Sequence, residues 1–161
     1  MTRRSALLLP FALLAVGCAP ADVAGTYTVA TTNGANDCAA SGWDEGASST
    51  GIPVVITQDG ATVQIIVEGL WGTALELGVG GRTFNGQVGG SHVSADLVGD
   101  VTSRQGECVY TYTLELDADL TGDLLEGTVT YRPVTNGHAD CGILQTCRNV
   151  QAFNGTRPPS S

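Results

Sequence analysis

The sequence predicts an all-β protein: a single antiparallel, up-and-down barrel of eight strands. Short runs rich in Thr, Val, Tyr and Leu recur along the chain and are separated by Gly, Asn and Asp, as expected for strands joined by turns. After the N-terminal apolar stretch, no segment keeps apolar residues at helical spacing over three turns. The predicted strands cover residues 26–31, 53–58, 62–68, 82–88, 92–98, 109–118, 124–132 and 150–157.

Most predicted strands have one apolar and one polar face, which indicates a sheet closed around a core. Three strands also carry a glycine on the apolar face, two residues after a large apolar side chain, at Gly86, Gly127 and Gly155. Such glycines weaken a strand unless they permit a bend or a close approach, and a small barrel needs sharp curvature. Eight strands enclose an interior that is either filled by side chains or holds one small ligand.

The connections alternate between tight turns and long links. The turns lie at residues 59–60, 89–90 and 121–123, and the links at 32–52, 69–81, 99–108 and 133–149. In an up-and-down sheet every second connection falls at the same end, so all long loops share one end. Residues 75–79 fit either a further short strand or a helical turn.

Four cysteines fall at this predicted long-loop end: Cys38, Cys108, Cys141 and Cys147. In an oxidising compartment they predict two disulfides, with three possible pairings. The alternative is a four-thiolate zinc site, which the absence of paired C-x2-C spacings disfavours.

The N-terminus predicts export. Arg3 and Arg4 precede a short apolar stretch, and Cys18 follows the small residue Gly17. A basic head, an apolar core and a small-residue cleavage site are typical of a secretory signal. With the cysteine placed after that site, residues 1–17 resemble a bacterial lipoprotein signal. The alternative is an ordinary secreted protein that loses Cys18 with its signal.

The lipoprotein resemblance implies cleavage before Cys18 and attachment of acyl groups such as palmitate to its thiol and amine. Ala19 occupies the position where Asp would retain the protein at the inner membrane, which favours the outer membrane. The predicted organisation is then a lipid anchor and linker over residues 18–24, the barrel over 25–157, and a disordered tail over 158–161.

The net charge of −9 excludes partners that need a basic surface. Removal of Arg3 and Arg4 with the signal makes the chain still more acidic. Nucleic-acid binding depends on a basic patch, and attraction to anionic lipid does too. We therefore expect the lipid to be the only membrane contact, and the acidity to serve solubility.

The chain resembles the lipocalin-like (calycin) barrels in architecture. That family opens its first strand with Gly-x-Trp, whose Trp packs on an Arg near the last strand. Here the corresponding residues are Gly25, Thr26 and Tyr27, with Tyr in place of Trp, and Arg157 ends the last strand. The resemblance implies an open mouth formed by the four long loops. The family's helix before the last strand is not expected, because residues 133–149 lack a helical period.

A ligand site is expected at this mouth. Trp43 and Trp71 lie in mouth loops, where exposed aromatic side chains can anchor a ligand or partner. The alternative is that both cap the core. For a small apolar ligand, the residues expected to line the cavity are Phe84, Val93, Leu97, Tyr110, Tyr112, Leu114, Val129 and Tyr131.

The sequence contains no motif for catalysis or for a cofactor. It has no Gly-x-Ser-x-Gly motif, and its histidines are His92, on a polar strand face, and His138, in a loop. Metal binding at His138 would need ligands such as Asp37, Asp44, Glu45 and Glu107 to converge there, and we expect no metal site.

The expected function is that of a non-enzymatic cell-envelope lipoprotein, anchored in the outer membrane and facing the periplasm or the outside. It would bind or present a small apolar ligand or an envelope partner at the mouth. One alternative is a structural or interaction module with a filled core, whose loops recognise an envelope protein or glycan. A less favoured alternative is a hydrolase that uses mouth carboxylates.

Overall fold

The structure, a computed structural model, describes residues 19–159. The predicted signal peptide, the lipidation site Cys18 and the last two residues of the predicted tail lie outside this range. The described chain forms nine strands: β1 (Gly25–Asn33), β2 (Ser48–Asp59), β3 (Thr62–Val67), β4 (Thr83–Gly89), β5 (His92–Val98), β6 (Ser103–Gln105), β7 (Cys108–Thr121), β8 (Leu124–Thr135) and β9 (Asn149–Thr156).

Eight of these strands form a closed, antiparallel, up-and-down barrel. Each pairs with its neighbour in sequence, and the sheet closes where β1 pairs with β9 and where β5 pairs with β7. Closure removes the exposed strand edges on which other chains could add. The all-β, eight-stranded class predicted from sequence is confirmed, and the topology is consistent with a calycin-like fold.

Strand β6 was not predicted. It lies within the link expected over residues 99–108, and it pairs with the first residues of β7, where Ser103 faces Tyr110. Strands β2, β7 and β8 are also longer than predicted. The additions to β2 and β8 lie chiefly at the long-loop end, whereas residues 119–121 of β7 lie at the tight turn into β8.

Two helices occur in the long links, one where the sequence left a short strand or a helical turn open and one where no helix was expected. The helix α1 (Gly69–Gly78) lies between β3 and β4, and a 3-10 helix (Ala139–Gln145) lies between β8 and β9. The expectation for residues 133–149 was therefore wrong, and residues 75–78 belong to a helix rather than a strand. Both helices are too short for helical periodicity to emerge in sequence, and Gly142 interrupts the second with a left-handed φ of 49°.

Close approach of a neighbouring strand explains two of the three glycines on apolar strand faces. A Cβ at Gly86 would lie 2.5 Å from Cβ of Ala95, and one at Gly127 would lie 2.6 Å from Cβ of Ala118. These pairs face each other across β4–β5 and β7–β8. The barrel wall around β5 therefore tolerates no side chain at these two positions.

The tight-turn end of the barrel is closed by the chain just before β1. Val23 is fully buried there, and its N–H donates to Oε1 of Gln58 at 2.8 Å. The amide of Gln58 in turn donates to the carbonyl of Ala21 at 3.1 Å. Ordered packing thus begins at Ala21, so only residues 18–20 of the predicted linker lie before it.

The expected contact between Tyr27 and Arg157 is present. The guanidinium of Arg157 lies 5.8 Å from the centre of the buried Tyr27 ring. It donates to the carbonyl of Ala24 at 2.6 Å and to the carboxylate of Asp123 at 3.0 Å. Tyr27 and Arg157 therefore make the contact that the resemblance in sequence predicted.

Candidate functional site: two compartments at the long-loop end

The four long links gather at one end of the barrel, as predicted, and two disulfides join three of them. Cys38 pairs with Cys147, and Cys108 pairs with Cys141. The first bond ties the β1–β2 loop to the residues before β9, and the second ties β7 to the 3-10 helix. The prediction of two disulfides is confirmed, and the structure selects one of the three pairings.

An apolar cavity of about 200 Å³, here called the inner cavity, lies between the barrel core and α1. Most of its walls are aliphatic, with the rings of Phe84 and Phe153 among them. Few of the lining side chains are polar, and Thr31 and Gln151 are the main ones. It is lined by Tyr27, Val29, Thr31, Ile52, Val54, Ile65, Val67, Trp71, Ala74, Leu75, Phe84, Leu116, Leu125, Val129, Tyr131, Gln151 and Phe153.

The helix α1 forms one wall of the inner cavity. Trp71, Ala74 and Leu75 recur at helical spacing on the face toward the cavity, while Leu70 and Leu77 are 89% and 76% exposed. Gly72 allows α1 to lie this close to β3, because a Cβ at residue 72 would be only 3.0 Å from the carbonyl carbon of Val67. Since Trp71 both lines the cavity and is 44% exposed, it stands at the boundary with solvent.

A second, larger cavity of about 580 Å³, here called the outer cleft, opens among the long loops. Its side chains come from the β1–β2 loop, from β7 and from the region of the disulfides. It is lined by Cys38, Ala39, Ala40, Ser41, Trp43, Gly78, Val79, Gln105, Tyr110, Tyr112, Tyr131, Leu144 and Asn149.

Tyr131 belongs to both compartments. Its ring packs edge-on against Trp43, with centroids 5.2 Å apart, and its hydroxyl donates to Oε1 of Gln151 at 3.3 Å. Gln151 continues the chain of hydrogen bonds to Oδ1 of Asn33 at 2.7 Å. Burial raises the pKa of Tyr131 to about 12, so its hydroxyl stays protonated at all physiological pH values.

A network of asparagines holds the loop that carries Trp43. The carboxamide of the buried Asn149 accepts from the N–H of Cys38 at 3.0 Å and donates to Oδ1 of Asn36 at 3.1 Å. Asn36 donates to the carbonyl of Trp43, and the indole N–H of Trp43 donates to the carbonyl of Gly34 at 2.9 Å. The loop is thereby ordered although it lacks regular structure.

The aromatic residues predicted from sequence divide between the compartments. Trp71 and Phe84 line the inner cavity, while Trp43, Tyr110 and Tyr112 line the outer cleft; Tyr131 lines both. Val129 also lines the inner cavity. Both tryptophans lie in mouth segments, Trp43 against Tyr131 and Trp71 in the lining of the inner cavity.

Three residues expected in a ligand cavity lie elsewhere. Val93, Leu97 and Leu114 are buried in the core and line neither compartment. They lie on β5 and β7, and β5 contributes no side chain to either compartment. The inner cavity is lined by residues of the other seven barrel strands together with α1. Sequence reasoning missed Ala74 and Leu75, whose only signal was their spacing from Trp71 within a ten-residue helix.

The histidines serve local structure. His138 accepts through Nδ1 from the N–H of Asp140 at 3.2 Å, which caps the 3-10 helix. His92 lies on the outer face of the barrel, 3.2 Å from each of Asp117 and Asp119. Among residues 19–159, no three His, Cys, Asp or Glu side chains are grouped so that they could hold a metal ion.

Comparison with known proteins found none that is similar to this chain. The chain matches no family model, no curated protein and no solved structure. In the described part of the chain, no helix has the length and apolar character needed to cross a membrane. Functional inference therefore rests on the two compartments themselves.

Proposed function

We propose that this protein is a non-enzymatic lipoprotein of the cell envelope that binds a small apolar ligand in the inner cavity. The proposal depends on one observation, the roughly 200 Å³ cavity lined almost wholly by apolar side chains beneath α1. Burial of apolar surface drives such binding without charged partners.

The cavity volume indicates the size of the ligand. Drug-sized molecules occupy pockets of roughly 300–1,000 Å³. An apolar cavity of about 150 Å³ in another protein stays dry and binds benzene. The inner cavity therefore suits one or two aromatic rings, or a short alkyl chain, rather than a large lipid.

Access to the inner cavity is supported by the position of α1. The helix packs chiefly on β2 and β3, and its outer residues Leu70 and Leu77 are largely exposed to solvent. A displacement of α1 would expose the cavity without breaking a strand pair. Trp71, half in solvent, marks the entrance.

The lipid anchor would orient the molecule. Residues 21–24 close the tight-turn end, so Cys18 would tether that end to the outer membrane, and both compartments would face away from the bilayer. Cys18 and the signal remain predictions from sequence.

Binding is tested with indole and toluene, followed by amide chemical shifts and by the rise in melting temperature. We expect shifts confined to the lining residues, and at least tenfold weaker binding in Val129→Phe, whose larger ring would occupy the cavity. Val98→Phe makes the same change at a residue that is 77% exposed, and it should bind as the unaltered chain does.

Absence of binding by both probes would overturn the proposal, as would equal weakening in the two Phe variants. If Val129→Phe does not fold, Val54→Leu adds less volume at another lining position and takes its place. A failure of both probes would favour the structural or interaction module, for which the exposed Leu70 and Leu77 would be the contact surface.

The anchor is tested by intact mass, measured on protein isolated from its native host. We expect the mass of residues 18–161 plus acyl groups, less four hydrogens for the two disulfides. A chain that starts after Cys18, or that carries no acyl mass, would contradict the proposed localisation.

A further inference from the structure

We propose that the outer cleft is a second binding site, separate from the inner cavity, and that it takes an uncharged sugar ring of a glycan. The cleft is nearly three times larger than the inner cavity, at about 580 Å³ against about 200 Å³. Its lining also differs in chemistry, because aromatic rings alternate there with hydroxyl and amide groups.

The lining of the cleft selects against charged ligands. None of the described residues that line it is Asp, Glu, Lys, Arg or His, although the chain as a whole carries a net charge of −9. An anion would meet the field of an acidic protein without a cation to receive it. A cation would find no carboxylate within the cleft. A neutral polar ligand incurs neither penalty.

Four aromatic side chains give the cleft the surface that a sugar ring needs. Trp43 packs edge-on against Tyr131, and Tyr110 packs edge-on against Tyr112, with centroids 5.7 Å apart. Tyr and Trp offer a rigid apolar face with a polar tip, at low cost in side-chain entropy. A pyranose has apolar C–H faces and a rim of hydroxyls, which matches this combination.

Hydrogen-bonding groups stand beside these rings. Ser41 and Gln105 are exposed and contribute a hydroxyl and an amide to the lining. The hydroxyl of Tyr112 is held neutral, since burial raises its pKa and the neighbouring Tyr110 raises it further. Each of these groups can both donate to and accept from a sugar hydroxyl.

The cleft is built on a rigid base. Cys38, Cys108, Cys141 and Leu144 form a small buried cluster of their own, against which Tyr110 and Cys147 pack. Both disulfides belong to this cluster, separate from the barrel core. Preorganised walls reduce the entropy lost on binding, which matters for ligands whose individual contacts are weak.

The test is a titration of isotope-labelled protein with neutral trisaccharides of glucose, galactose, mannose and N-acetylglucosamine. We expect at least one to bind with a Kd near or below about 1 mM, with shifts at the Trp43 indole N–H and at Ser41, Tyr110 and Tyr112. Sialyllactose, which carries a carboxylate, should bind at least tenfold more weakly than the best neutral sugar.

Three variants distinguish this site from the inner cavity. Trp43→Leu should weaken sugar binding at least tenfold, and Tyr112→Phe, which keeps the ring, should weaken it severalfold. Val129→Phe should leave sugar binding unchanged while it weakens indole binding at least tenfold. If Trp43→Leu does not fold, the hydroxyl-only change in Tyr112→Phe still tests the cleft.

The inference is overturned if none of the four trisaccharides shifts a cleft residue. It is also overturned if the charged sugar binds as well as the neutral ones, or if Tyr112→Phe binds sugar with unchanged affinity. A sugar effect that disappears in Val129→Phe would place the ligand in the inner cavity and would equally contradict a separate site.

Discussion

Arg157 joins three segments at the tight-turn end of the barrel. Its guanidinium packs over Tyr27, donates to the carbonyl of Ala24, and pairs with Asp123 in the turn between β7 and β8. The Arg157 side chain is only 12% exposed. Hydrogen bonds to a buried charged group contribute more than those at the surface, because water cannot replace them.

Replacement of Arg157 by Met should lower the free energy of unfolding by about 2–3 kcal/mol. The substitution leaves the Ala24 carbonyl and the Asp123 carboxylate without their hydrogen-bond donor. Arg132→Met is the matched control. Its ion pair with Glu115 is also short, at 2.7 Å, but the Arg132 side chain is 43% exposed. Surface pairs contribute about 0–1 kcal/mol. Urea denaturation measures both, and equal losses would contradict the assigned role of Arg157.

Tyr131 predicts how stability depends on alkaline pH. Its pKa is about 12 in the folded chain, against an ordinary value of 10.0. The folded state therefore holds this proton more tightly than the unfolded state does. Stability from this group is complete below pH 10 and is lost as pH rises toward 12, by about 1.4 kcal/mol per pH unit.

Tyr131→Phe removes that ionisation, so the variant should lose less stability than the unaltered chain between pH 10 and pH 12. Burial also raises the pKa of Tyr27 and Tyr112, so part of the decline should remain in the variant. Denaturation midpoints at several pH values measure the slopes. Parallel slopes in the two proteins would show that Tyr131 does not contribute.

At the scale of elements, α1 is the segment least tied to the barrel. It has no side-chain N-cap, and its inward residues Trp71, Ala74 and Leu75 line a cavity, although Leu75 also packs against the core. Its position depends on Gly72, which lies against the backbone of Val67. A helix held in this way can move without loss of the sheet, and this is what ligand entry to the inner cavity requires.

Gly72→Ala should displace α1 from β3, because a Cβ at that position overlaps backbone that cannot yield. Overpacking of this kind costs about 1–3 kcal/mol. Amide exchange in α1 should quicken while exchange in β7 and β8 stays slow. Gly78→Ala lies in the same helix with open space around its Cβ, and it should be neutral or stabilising by up to about 1 kcal/mol. Equal exchange rates in the two variants would contradict the role given to Gly72.

At the scale of the whole molecule, the two disulfides constrain very different lengths of chain. Cys38 and Cys147 are 109 residues apart, whereas Cys108 and Cys141 are 33 apart. In the chain-entropy model, the stabilisation grows with the logarithm of loop length, to about 5 kcal/mol for the longer loop and about 4 kcal/mol for the shorter. All four residues belong to the same small cluster.

Replacement of Cys38 and Cys147 by Ala should therefore destabilise the protein more than replacement of Cys108 and Cys141. The second pair of substitutions is the matched control, because it removes the same atoms from the same cluster. Denaturation midpoints measure the two, and a reversed order would show that strain or local packing, rather than loop closure, governs their contribution.

Local patterns along the chain were sufficient to predict the barrel. Alternation on β5 and β7, tight turns between strands, and glycines such as Gly127 all depend on near neighbours, and a closed sheet is the arrangement that buries one face of every strand. The Tyr27–Arg157 contact followed from a resemblance in architecture. The four cysteines were placed at one end because an up-and-down sheet leaves every second connection there.

Only the tertiary structure decided what the barrel holds. Pairing of Cys38 with Cys147, the helix α1, and the division of the aromatic residues between two compartments all depend on contacts between segments far apart in sequence. Leu114 and Tyr131 have the same apolar character in sequence, yet one fills the core and the other lines both cavities. The two residues face each other on β7 and β8, so the difference arises from the segments around them: Tyr131 packs against Trp43 of the β1–β2 loop, which is remote from it in sequence. A cavity forms where side chains from several segments leave the space between them unfilled, so the sequence of no single segment predicts it.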